Sequence, residues 1–127
     1  MFVGVCRLTF HLHGVSSLKA KRQVLRRIIE RTRAKFNVSA AEVSDNDVHK
    51  RAVVGVCVVG NSRAHVDGML STIIRFIDRL GVAPVSGVET EVISLRDMGE
   101  GVPRSIEDWR TDWMDDPLDE DGDEEDL

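Results

Sequence analysis

Residues 51–81 read RAVVGVCVVGNSRAHVDGMLSTIIRFIDRLG, and the change of period in the middle of this stretch decides the fold. Ala52 to Val59 is so rich in valine that it reads as a central, deeply buried strand, apolar on both faces. Asn61 or Ser62 then caps a helix in which Val66, Met69, Leu70, Ile73, Ile77 and Leu80 recur at the 3.6-residue period, and Gly81 stops it. A buried strand running straight into an amphipathic helix is one half of a βαβ unit.

The same sequence of periods is found upstream. Phe2 to Leu12 alternates, with Phe2, Cys6, Leu8, Phe10 and Leu12 on one side and Arg7, Thr9, His11 and His13 on the other, as in a half-buried strand. Ser17 can cap a helix from Leu18 to Phe36 with the stripe Leu18, Leu25, Ile28, Ile29, Thr32 and Phe36. Val38 to Val43 reads as a short strand, Ser44 to Asp47 as a turn, and Val85 to Leu95 as the last strand. The order is therefore βαββαβ. Right-handed crossovers place both helices on one face of a four-stranded antiparallel sheet, an α+β sandwich of the ferredoxin-like kind.

Charge divides the 127 residues into two unlike parts, which the net of −5 conceals. Residues 1–96 carry +7, and residues 97–127 carry −12. Gly99, Gly101 and Pro103 break a continuing strand, so the expected boundary puts a ferredoxin-like domain in residues 1–96 and an acidic, largely disordered tail in 97–127. Within that tail Ser105 to Met114 can form a short helix carrying Ile106, Trp109 and Trp113 on one side. The acidic run from Asp115 is also an expected competitor for any basic face of the domain.

No run of 18 apolar residues exists, and the start MFVGVCRLTF lacks the pattern of a secretory signal, so the expected location is the cytoplasm, away from membranes. Cys6 and Cys57 are too few and too far apart for a zinc ribbon or a disulfide framework, and both are expected to be small core residues.

The stretch SLKAKRQVLRRIIERTRAKFNVSAAEV, Ser17 to Val43, is followed by a turn acid and by RAVVGVCVVGN, Arg51 to Asn61. It resembles the YlxP-like family of small uncharacterised bacterial proteins. The resemblance extends over about residues 1–96 and implies a ferredoxin-like fold and the bacterial cytoplasm. Genes of that family often lie beside those for initiation factor two, a transcription elongation factor and ribosome-binding factor A, which implies a role near RNA or the ribosome. It brings no catalytic residues with it. His49 stands here where relatives often have tryptophan.

The strongest chemical signal is the first helix. At 100° per residue from Leu25, Lys19, Arg22, Arg26 and Arg33 fall on one flank, and Arg27, Arg31 and Lys35 fall on the opposite side. Glu30 alone opposes them, whereas the second helix balances Arg63, Arg75 and Arg79 against Asp67 and Asp78. These seven cations are the candidate nucleic-acid contacts, suited to backbone phosphates rather than to bases. Base stacking is not expected, because Ala52 to Val59 holds no aromatic residue. The histidines, the Asp45-Asn46-Asp47 turn and the Gly60 to Arg63 turn lack the spacing of metal, calcium or phosphate sites, so no cofactor, metal or small-molecule substrate is expected.

Valines on both faces of the third strand leave an apolar patch that two helices on one face cannot cover. Val3, Val5, Val54, Val56 and Val58 are the expected interface, with Trp109 and Trp113 as a rival cover from the chain itself. The expected partners are structured RNA or the ribosome and a second copy of the chain. The alternative is a dimeric interaction module without RNA affinity.

Overall fold

Strand β1 (Phe2–His11) lies inside a four-stranded antiparallel sheet. The computed structural model describes residues 1–45, 48–98, 105–107 and 110. After β1 come helix α1 (Leu18–Lys35), β2 (Ser39–Ser44), β3 (Arg51–Gly60), helix α2 (Arg63–Leu80), β4 (Val85–Ser94) and a 3₁₀ turn at Leu95–Met98. The strand order β2-β3-β1-β4 makes β1 and β3 central and β2 and β4 edges, which is the expected ferredoxin-like arrangement.

The alternation of β1 sets the two faces. Cys6, Leu8 and Phe10 are buried, and the register sets them beside Val56, Val54 and Ala52 of β3. Both helices settle on that face, α1 through Leu25, Ile28 and Thr32 and α2 through Val66, Leu70, Ile73 and Ile77. Each large aliphatic side chain buried there contributes about 1.5–3 kcal/mol. Gly4 allows the close approach of α2, since a Cβ at that position would run into the Val66 side chain.

The same register corrects one expectation. Val54, Val56 and Val58 are at most 2% exposed beneath the helices, so they are core and not interface. Their neighbours Val53, Gly55, Cys57 and Val59 have the opposite parity and share the uncovered face with Val3 and Val5.

Local chemistry explains the helix ends. Ser17 Oγ accepts from the Ala20 amide at 3.1 Å and Ser62 Oγ from the His65 amide at 3.3 Å, each relieving a donor left over in the first turn. Gly81, at φ 65°, closes α2 in the left-handed conformation. Phe36 is extended rather than helical, one residue short of the expected end, and meets Phe76 of α2 edge to face at 5.3 Å. Among the described residues, no helix is long and apolar enough to cross a membrane. Of the segment expected to form a helix at Ser105–Met114, only residues 105–107 and 110 are described; Trp109, Trp113 and the acidic run from Asp115 lie outside the described residues.

Candidate nucleic-acid interface

All seven cations singled out on α1 are exposed: Lys19, Arg22, Arg26, Arg27, Arg31, Arg33 and Lys35. Their exposure follows from which stripe of the helix is buried, because Leu25, Ile28 and Thr32 turn to the sheet and leave both flanks to solvent. Over 18 residues the helix is about 27 Å long, and Arg22 and Arg33 are about 16 Å apart along its axis.

The two ridges differ in their surroundings. Arg22, Arg26 and Arg33 line a shallow groove of about 270 Å³ between α1 and the edge strand β2, with Glu30 and Glu42 on its wall. Arg33 is the most constrained of them, its Nη2 donating to the Ala40 carbonyl at 2.8 Å. On the other ridge Lys35 lies over the Phe76 ring at 5.6 Å, so its ammonium is directed toward α2. Among the described residues Arg22 and Arg26 have no ion-pair partner, and Arg33 retains its other guanidinium N–H groups. The groove can take an anion along its arginine side.

An eighth cation of α1 behaves differently. Lys21 is 1% exposed. Its Nζ sits 2.7 Å from Glu42 Oε2 and donates to the carbonyls of Asp45 at 2.5 Å and Val48 at 2.6 Å. Glu42 Oε2 is buried without a hydrogen bond of good angle, yet its charge is compensated because the ammonium lies at ion-pair distance. Lys21 thus pins α1 to β2 and to the turn after it. Counting lysine as a surface residue hides this role. The angular signal for it exists, since Lys21 lies 40° from Leu25, inside the apolar stripe.

The sheet is a poor stacking platform. The uncovered sides of β1 and β3 carry Val3, Val5, Arg7, Thr9 and His11 and, opposite them, Val59, Cys57, Gly55, Val53 and Arg51, with no Phe, Tyr or Trp. Phe10 is fully buried on the helix side, and Phe2, on the same side, lies 5.3 Å beneath the Arg63 guanidinium. His11 and His13 stack at 5.9 Å, and no group of three His, Cys, Asp or Glu residues that could hold a metal converges among the described residues. Cys6 is core, with burial pushing its thiol up to about 11. Cys57 is half-buried on the uncovered face, so the expectation that both cysteines are core fails for it.

The chain matches the family described as "Protein of unknown function (DUF503)" over residues 3–90. It is 36% identical over 76 residues to "Uncharacterized protein YlxP" of Bacillus subtilis (strain 168), an alignment covering 60% of this chain and 83% of that protein. Among solved structures it is similar to a de novo designed protein with ferredoxin fold, with TM-score 0.49 and 9% identity over 83% of this chain and 96% of that one. It is also similar to SnoaB, a cofactor-independent oxygenase from Streptomyces nogalater, with TM-score 0.41 and 13% identity over 81% and 97% of the two chains.

Proposed function

The chain belongs to the DUF503 family, and we propose that it is a cytoplasmic, non-enzymatic protein that binds structured RNA or a ribonucleoprotein surface through α1. The observation that carries this reading is the concentration of exposed charge. α1 holds seven exposed cations against the one exposed acid Glu30, a surplus of +6, its eighth cation Lys21 being buried against Glu42. Ion pairing within the helix cannot neutralise such a surface, whereas a row of phosphates can. The spacing from Arg22 to Arg33 covers a length of duplex carrying on the order of ten phosphate charges. With no aromatic residue on the uncovered sides of the central strands, recognition rests on phosphates and duplex shape.

The test is a fluorescence titration of the full chain with structured ribosomal RNA fragments at two salt concentrations. Affinity should fall steeply with salt, each neutralised phosphate adding up to about 0.9 to the log–log slope. Reversing Arg22, Arg26 and Arg33 to glutamate should abolish binding while the circular dichroism of the domain is retained. Absence of affinity at low salt ends the RNA reading. A flat salt profile instead favours a dimeric interaction module whose basic ridges meet an acidic protein, a second reading favoured by the apolar sheet face.

A further inference from the structure

We propose that the uncovered face of the sheet is the surface through which two copies of this chain pair. The helices cover the face of Cys6, Leu8, Phe10, Val54 and Val56, and no layer among the described residues covers the other. On that other face Val59 is 60% and Val43 54% exposed, and they flank a field that contains Val3, Val5 and Cys57. Val43 sits at the register shift of β2, and its side chain lies over Gly55, so the apolar field reaches across to the β2 edge. A monomer would hold this surface in water at a cost proportional to its area.

Charge identifies the occupant as another protein surface rather than a polyanion. The cations of this face are already paired, Arg7 with Glu89 and Arg51 with Asp45, both at 2.7 Å. Neither needs a phosphate, and Glu91 on the outer strand would repel one. Size points to a second copy. Three ten-residue strands about 33 Å long and the six-residue β2, about 20 Å long, give about 570 Å² of plan area, and a pleated surface exposes more than its plan. Stable dimers use about 800 Å² on each partner. The chain's own carboxyl-terminal segment is the rival cover. Its Ile106 is 58% exposed, so the apolar side of that segment is not buried at its first large residue.

Such a pair is isologous and closed. Two sheets packed about 10 Å apart leave both α1 helices on the outside, so the dimer would present two copies of the basic surface to one polyanion. Pairing itself does not depend on the RNA reading.

Cys57 allows a direct test on the full chain, because Cys6 is buried with a raised thiol pKa and stays silent toward a thiol reagent at neutral pH. Light scattering should give twice 14.2 kDa at concentrations on the order of 100 μM. Labelling of Cys57 by an aromatic disulfide should slow at least tenfold as concentration rises through the dimerisation range. Val59→Asp, and independently Val43→Lys, should give the monomer mass and full Cys57 reactivity at all concentrations, with unchanged circular dichroism. Both residues are more than half exposed in the single chain, so the changes do not touch its core. A wild-type monomer with reactive Cys57 overturns the proposal. So does a monomer with concentration-independent protection, which assigns the face to the chain's own segment, and so does a dimer indifferent to both substitutions.

Discussion

Lys21 is the residue whose environment departs furthest from its usual one. A buried ammonium persists only where its protons find acceptors and its charge a counterion, and here the carbonyls of Asp45 and Val48 accept while Glu42 Oε2 lies at ion-pair distance. Lys21→Met removes the donor from both carbonyls at once and leaves the Glu42 carboxylate without its cation. Urea titration should show a loss of about 3 kcal/mol, at the low end for a broken buried pair because the Glu42 side chain is still 19% exposed. Adding Glu42→Leu to that variant should recover part of the loss, since no uncompensated charge then remains. A double variant less stable than Lys21→Met would show that the ion pair is not the source of the effect. Gly4 has a different constraint, the space between β1 and Val66. Gly4→Ala drives a methyl into a fully buried, χ1-restricted side chain and should cost about 1–3 kcal/mol by the same titration.

α1 is built against its own electrostatics. It has no acid in its first turn, and Lys19, Lys21 and Arg22 place positive charge at the positive end of the helix dipole. Arg33 and Lys35 in the last turn are favourably placed, so the unfavourable charge sits at the amino-terminal end. The Ser17 cap matters more for that reason. Ser17→Ala should cost about 1 kcal/mol, read as a melting shift of about 4–8 °C for a domain of this size, with polyanion affinity unchanged because Ser17 contributes no charge. A drop in affinity without a drop in melting temperature would instead put Ser17 in the binding surface. The existence of α1 and its basic flanks was legible from period and composition, because both are properties of one contiguous segment. Arg33's bond to the Ala40 carbonyl was not, since it joins α1 to a strand whose position depends on the rest of the sheet.

The whole molecule joins a +7 segment to a −12 segment. The 16 residues between Met98 and Asp115 have a contour of up to about 60 Å, several times the roughly 15–20 Å width of a four-stranded sheet, so the acidic run can reach α1. Removing residues 98–127 changes the net charge from −5 to +6 and should tighten polyanion binding at low salt, with the gain fading as the Debye length falls to about 8 Å at physiological salt. Unchanged affinity after removal would mean that the acidic residues do not compete for α1. Element order, helix stripes and this partition of charge were determined by the sequence alone, because each depends on spacing or composition within a segment. The facing of β3 was not. With Val53, Val54, Val56, Val58 and Val59 apolar on both sides, hydrophobicity along β3 does not distinguish its two parities, and a slip of one residue exchanges every side chain between core and open face. The choice came from β1, whose Leu8 and Phe10 alternate with Arg7 and Thr9 without ambiguity and which pairs Leu8 with Val54 and Phe10 with Ala52. Lys21 and Cys57 received their surroundings in the same way, from neighbours distant in the chain. Pairing across strands, not pattern within one, decided which valines of β3 lie beneath the helices and which belong to the open face.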